Sequence, residues 1–401
     1  MATSRKRTTF KSTDAVHISA PDTLIDPLTA ARYVKSTTGK GYFRQLLEIA
    51  KLRFGGRKFG ASEYYRFGLH NPSLSTKDRN AFVGNFIRDA LNGALCSNSA
   101  NQNALMHDKF RFSTLLNRNG IPTTETQAYF CRDRDISALV NLHSAAEIVD
   151  FVVKKAKFPL FGKPNARAFG IGTLSITQLS PDRHDVTLGN GQIVKLQHLA
   201  EDIEVNFQKG YAFQEHLQQH PTAVQACGTA IGTLRIATIL LKRGPALLYA
   251  HQRIPGANAM SDSAHTKMRE NAEIDVTTGK VVQHYFGDRT FGHAVPLARV
   301  SQKPYVGTQM PFWPEIVKLL TRGHALFPNN GCIGWDVALT VAGPVIVEAQ
   351  GNPFHMHWQL AAGRGLLNSE FSRMFLEALD IIGYCEPGLL FDKLQAQASG
   401  A

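Results

Sequence analysis

An α+β fold built on antiparallel sheets is what this sequence predicts, and three observations carry that prediction. Strand-like and helix-like windows follow one another in mixed order along most of the chain. Residues 332–350, CIGWDVALTVAGPVIVEAQ, read as two strands joined by a tight turn. Residues 25–105 carry apolar side chains at helical spacing, as in Tyr42, Leu46, Leu47, Ile49 and Ala50, and again in Phe82, Phe86, Ile87 and Leu91. With 401 residues the chain can form two or three packed subdomains, and no repeat of fixed period is visible.

Residues 1–23, polar and carrying Arg5-Lys6-Arg7, are expected to form a disordered basic tail, followed by a helical region at 24–105. Asp108-Lys109 opens a helix over 110–118 that stops at Asn119-Gly120. A strand at 127–130, a helix near 144–155 and a strand at 158–163 come next. A loop over 164–172 precedes a strand at 173–177, and residues 180–191 are rich in turn formers. Residues 211–217, 233–241 and 247–252 are expected strands, and 306–327 contain a helix. Phe371, Met374, Phe375, Ala378 and Ile382 make residues 360–382 a closing helix. The expected subdomains are 106–210 and 211–365, with a C-terminal helix and tail at 366–401.

Hydrophobic residues make up 43% of the chain and charged residues 19%, ordinary values for a soluble globular protein. A formal charge of +12 predicts an anionic partner. The cations are dispersed and no nucleic-acid-reading motif is present, so nucleic acid is not the expected one. The five cysteines lack paired or zinc-like spacing, which argues against a disulfide framework and fits a reducing cytoplasm. The most apolar window, 230–241, is short and interrupted by Arg235, so any membrane contact is expected to be peripheral.

The chemistry-bearing residues concentrate in a few segments. In the hairpin, expected at 333–340 and 344–350, alternation puts Glu348 and Gln350 on one side, with Asn352 joining them if the extended chain continues. A turn centred on Ala342 sets Asp336 across the ladder from Glu348, with Val337, Leu339, Val345 and Val347 supplying the opposite, apolar face. Facing carboxylates destabilise a hairpin unless a cation separates them, and with an amide oxygen nearby they suit Mg²⁺. Lys163 ends a strand before a loop containing Arg167, Gly170 and Gly172, whose backbone N–H groups can cradle phosphate oxygens. That loop is neither a Walker loop nor a dinucleotide fingerprint. Gln214, Glu215, His216 and Leu217 end an extended segment that can offer backbone groups to a purine and a carboxylate to ribose. Arg235, inside an apolar strand, needs an anion or a path to solvent; Arg253 is a second such cation, and Lys109 a third at a helix start. His355 and His357 would share one strand face, but no third metal ligand accompanies them, which favours substrate-side or packing roles.

In this order, over about residues 108–365, these segments resemble the ATP-grasp superfamily, most closely its sugar-transfer-associated members, relatives of α-L-glutamate ligase-type enzymes. The resemblance implies two α+β subdomains with antiparallel sheets clasping ATP. Lys109 and Lys163 would reach the phosphates, residues 165–172 would cover them, and residues 213–217 would be the adenine hinge. His220-Pro221 followed by Thr233-Leu234-Arg235 is similar to the family's H-P…T-x-R arrangement, and Asp336 and Glu348 match its Mg²⁺-binding strands. Where the superfamily usually has E-x-N, this chain has Glu348-Ala349-Gln350 and then Asn352, so both amides remain candidate ligands. The implied activity is ATP- and Mg²⁺-dependent joining of a carboxylate, through an acyl phosphate, to an amine, in glycan or polysaccharide modification. Lys163, Arg235 and Arg253 would be its catalytic cations. A kinase acting on a hydroxyl and a non-catalytic nucleotide-binding scaffold are the alternatives.

Overall fold

The computed structural model describes residues 25–96, 99–137, 139–165, 172–256, 259–260, 270–384 and 388–399. The expected basic tail therefore lies outside the described residues. The chain divides into two compact units, one centred on Glu125–His216, the other built from segments before and after it.

The first unit is a seven-stranded sheet of β1 (Thr126–Phe130), β2 (Val140–Leu142), β3 (Leu160–Pro164), β4 (Leu174–Leu179), β5 (Asp185–Leu188), β6 (Ile193–Lys195) and β7 (Tyr211–Glu215), in the order β2-β1-β7-β3-β4-β5-β6. Only the β1–β2 pair is parallel. Helices Ala145–Lys154 and Leu196–Asn206 close a core of Phe130, Phe151, Leu160, Ile176, Ile203 and Phe213. The turn-rich reading of 180–191 missed β5. Its alternation is short, Val186 and Leu188 buried between polar neighbours, and turn formers flank it on both sides. Because β7 lies in the middle of this sheet, between β1 and β3, the units divide after His216 and not at 210/211.

The second unit holds β8 (Thr233–Leu241), β9 (Gly244–Ile254), β10 (Glu270–Ile274), β11 (Val281–Phe286), β12 (His293–Ala294), β13 (Cys332–Thr340) and β14 (Gly343–Gln350). They form an antiparallel sheet ordered β12-β11-β10-β9-β8-β13-β14. One face is apolar from β10 to β14: Ala272, Ala250, Ile236, Trp335 and Ala349 belong to a core closed by Ile316 and Leu320 of helix Trp313–Ala325 and by Phe112 and Leu116 of helix Lys109–Arg118. The other face changes character along its strands. On β8, Ala237, Ile239 and Leu241 pack with helices Asn85–Leu95 and Ser369–Ile381, whereas Arg235 and Thr233 make the same face polar. That polar end is the platform for the site.

Other expectations are corrected here. Strands β10–β12 were not foreseen. The closing helix is two helices, Met356–Ala362 and Ser369–Ile381, and the tail adds a third, Leu389–Ala398. The N-terminal helices belong to the second unit, where Val34, Phe59, Tyr64 and Phe67 pack with Met356 and Leu360. In helix Tyr42–Leu52, however, the periodic Tyr42, Leu46 and Leu47 face outward and are not core. Among the described residues no helix is long and apolar enough to cross a membrane.

Candidate active site

Strand register assembles the second unit's polar face into one row. Glu348 on β14 stands opposite Asp336 on β13, Asp336 opposite Arg235 on β8, and Arg235 opposite His251 on β9. His251 in turn faces Glu273 on β10, which faces Gln283 on β11. The facing of Asp336 and Glu348 is as expected, but its cause is not. The hairpin turn has two residues, Val341 and Ala342, and Val337 pairs with Ile346 while Asp336 pairs with Glu348, leaving Val347 as a bulge. Uninterrupted alternation would have put Glu348 on the same side as core-facing Ile346; the extra residue turns it to the polar face. Hence Ile346 and Ala349 take the core positions expected for Val345 and Val347, which stay half-buried.

Arg235 finds its anion in Asp336. Its Nε and Nη2 donate to the two carboxylate oxygens, the second at 2.9 Å, and Arg253 Nη1 donates to Asp336 Oδ2 at 3.1 Å. All three side chains are buried. Two guanidiniums on one carboxylate leave a net positive centre, an environment that draws a further anion. Glu348 is more open, its side chain 35% exposed, with Lys109 Nζ 3.7 Å from Oε1. Of the two candidate amides, Gln350 stays on β14 opposite Gly334, and with its oxygen turned inward it accepts from Arg235. Asn352 lies past the strand, its oxygen taking the Asn92 amide.

Three members of the row, His251, Glu273 and Gln283, escaped the sequence reading. His251 is fully buried, and neither ring nitrogen has a hydrogen-bond partner among the described residues. Burial and the guanidiniums of Arg235 and Arg253 hold it well below the usual imidazole range, so it is neutral. Glu273 pairs with Arg364 at 3.1 Å, and burial raises its carboxyl above the ordinary value despite that arginine. His251 was legible in principle, since it sits two residues before Arg253 on an expected strand. Glu273 was not, without β10. The expectation that His355 and His357 share one strand face is corrected. His355 immediately precedes helix Met356–Ala362, where residues two apart diverge, and its ring bonds Tyr249 Oη (2.8 Å) and Asn92 Oδ1 (3.0 Å) in the core. The His357 ring lies 6.5 Å from that of His251.

In the first unit, Lys163 is buried at the end of β3 opposite Ala212 of β7. A Cβ on the preceding Gly162 would collide with the Tyr211 ring, whose hydroxyl donates to Gly172 O at 2.8 Å. Tyr211 thus ties β3 to Gly172, at the far end of the segment expected to cover phosphate; Arg167 and Gly170 lie outside the described residues. Gly172 has φ +76° and packs so tightly on Phe207 and Pro164 that a Cβ has no room. Gly172→Ala is expected to cost about 2–3 kcal/mol in urea unfolding, combining backbone strain with overpacking; a loss below about 0.5 kcal/mol would show that the contact yields freely. Strand β7 stops at Glu215, two residues early. Gln214 Nε2 donates to Thr126 Oγ1 (3.1 Å), Glu215 lies 3.6 Å from Lys157, and His216 N donates to Pro159 O (3.3 Å). Leu217 follows outside the strand, at the start of a second-unit segment.

Among the described residues no cluster of three or more His, Cys, Asp or Glu side chains could hold a metal ion alone. Facing carboxylates with an amide oxygen beside them are instead the donor set of a Mg²⁺ that takes its remaining ligands from phosphate and water. The residues present fit that ion, with Glu348 the open ligand and Asp336 shared with two arginines.

A family model described as sugar-transfer associated ATP-grasp matches residues 94–373. No curated protein matches the chain. Among solved structures it is similar to N5-carboxyaminoimidazole synthase from Aspergillus clavatus, at 12% identity over 72% of this chain and 54% of that one, with a TM-score of 0.39. The L-amino acid ligase of Bacillus licheniformis is similar at 11% identity over 80% and 53%, TM-score 0.37. The VanG D-Ala:D-Ser ligase of Enterococcus faecalis is similar at 15% over 70% and 62%, TM-score 0.38. The chain spans about half the length of the first two.

Proposed function

Because this chain belongs to the sugar-transfer associated ATP-grasp family, we propose that it is an ATP- and Mg²⁺-dependent ligase that joins a carboxylate, through an acyl phosphate, to an amine. The observation that carries this reading is the row Glu348–Asp336–Arg235, in which two facing carboxylates adjoin buried guanidiniums. Phosphoryl transfer asks a protein for alignment and charge stabilisation, and this row offers both without a nucleophilic side chain.

Asp336, Glu348 and Gln350 would hold Mg²⁺, which when bound neutralises phosphate charge. Asp336 also clamps Arg235 and Arg253 as fixed donors, which suits them to the negative charge on the γ-phosphoryl oxygens as that group passes from ATP to the substrate carboxylate and ADP leaves. Lys109, beside Glu348, and Lys163, in the first unit, are assigned to nucleotide phosphates. Backbone groups at Gln214, Glu215 and His216 are assigned to the purine. His251 and Glu273 extend the row beyond the arginines and are assigned to the amine, since a neutral imidazole and a carboxylate both accept hydrogen bonds. The family's description supports a glycan-linked substrate, and ATP as co-substrate supports a cytoplasmic reaction.

The test is thermal unfolding with ATP, ADP or GTP, with and without Mg²⁺. ATP at about 100 times its Kd is expected to stabilise the protein by about 2.7 kcal/mol. The gain should vanish in Lys163→Ala and lose its Mg²⁺ dependence in Glu348→Ala. Absence of any ATP effect on the parent protein would end the reading. A stable phosphorylated product formed without an amide would instead make the protein a kinase, and ATP binding without ADP release across carboxylate and amine panels would make it a scaffold.

A further inference from the structure

Helix Tyr42–Leu52 turns an apolar side to solvent, and its orientation is pinned. Gln45 and Leu52, one heptad apart, are its buried residues. Gln45 donates to Lys40 O at 2.8 Å and accepts from Tyr65 Oη at 2.7 Å, which fixes the inward face. On the opposite side Phe43, Leu46 and Leu47 are 75%, 64% and 46% exposed, and Phe54, just past the helix, is 83% exposed. Large apolar side chains grouped this way mark an interaction surface.

The charges around the patch have one sign. Glu48, the helix's one acid, turns inward to Lys40 Nζ (2.8 Å) and Tyr64 Oη (2.5 Å), with Arg44 Nε 3.6 Å away. Arg44 and Lys51, one heptad apart, flank the apolar stripe and are exposed, as are Arg53 and Lys58 beyond the helix. Arg53, Lys58, Phe54 and Phe86 also line an open cleft of about 590 Å³. Its one acid, Glu63, is taken up by the N–H groups of Gly60 (2.8 Å) and Asn85 (2.7 Å). A second copy of the chain docking on this face would bring the same cations together, which disfavours self-association. Apolar side chains projecting between cations are what an acyl boundary beneath lipid phosphates accommodates.

We propose that this surface docks the protein onto an anionic phospholipid membrane, with Phe43, Leu46, Leu47 and Phe54 entering the acyl boundary and Arg44, Lys51, Arg53 and Lys58 meeting lipid phosphates. The docking is independent of the nucleotide chemistry proposed above.

Flotation of the full chain with vesicles tests it. The protein is expected to rise with phosphatidylcholine–phosphatidylglycerol vesicles, not with phosphatidylcholine alone, and to be released by salt. Leu46→Ser/Leu47→Ser/Phe54→Ser and, separately, Lys51→Glu/Arg53→Glu should each lower partitioning about tenfold or more, with unchanged melting temperature and ATP response. Failure of the parent protein to float with anionic vesicles overturns the proposal, as do variants that float equally well. A dimer in light scattering that the triple variant dissociates would also overturn it, assigning the face to self-association.

Discussion

Asp336→Ala is expected to lower stability by about 3–5 kcal/mol, the largest effect of any single change at the site. The substitution removes a carboxylate that receives three charged hydrogen bonds and leaves Arg235 and Arg253 close together in a buried place. The penalty comes from the two guanidiniums left behind more than from the bonds lost. Glu348→Ala makes the control, because its carboxylate is one-third exposed and its pair with Lys109 is loose at 3.7 Å. Such a pair is worth at most about 1 kcal/mol. Urea unfolding of the two variants should therefore separate them by several-fold. Equal losses would mean that the arginines relax to solvent and that Asp336 is not their anchor. The same contrast makes Glu348 the cleaner probe of the proposed metal dependence, since its loss should leave the fold intact.

Acidification is expected to unfold the protein steeply before most carboxylates titrate. His324 donates from Nε2 to Asn330 O (2.8 Å) and accepts at Nδ1 from Thr238 Oγ1 (2.7 Å), which in turn accepts from Trp335 Nε1 (2.8 Å). That chain of bonds requires a neutral ring, and burial pushes its pKa down to about 4. His355, also buried, with Arg88 and Arg235 nearby, is pushed down to about 3. The unfolded chain, with imidazoles near the ordinary 6.5, therefore takes up protons first as pH falls. Stability from these rings is fully present above 6.5 and drains away as pH drops toward their folded values. Each ring contributes a slope of about 1.4 kcal/mol per pH unit, so the pair gives roughly 3 kcal/mol per unit. Urea unfolding followed from neutral pH to about 5 checks this. A flat profile would sink it, and His324→Gln should lower the slope by about 1.4 kcal/mol per pH unit if the fold tolerates it.

The parts of this protein that could be read from sequence are those whose signal is local. β8 appears at its observed bounds because Thr233–Leu241 is a long apolar run with one arginine. Helix Lys109–Arg118 appears because Asp108 caps it and Asn119-Gly120 stops it. What stayed hidden depends on partners distant in the chain. β10 is short, and its Asn271 and Glu273 face a polar platform, so it looks like a loop until β9 lies beside it. His251 has no motif and gains meaning only from the arginines across and two residues along. The bulge at Val347 leaves no mark in the residue pattern, so the right facing of Asp336 and Glu348 was reached by a turn geometry the hairpin does not have. Periodicity in helix Tyr42–Leu52 located the helix and could not say which side would be covered.

The charged row has a further consequence for how the chain folds. Were β9 to dock one position out of step with β8, His251 and Arg253 would swing to the Trp335 side and Ala250 would land among the charges. Misaligned sheets of that kind bury bare ions in hydrocarbon and cannot persist. The residues of the charged row thus also proofread the assembly of the strands that carry them.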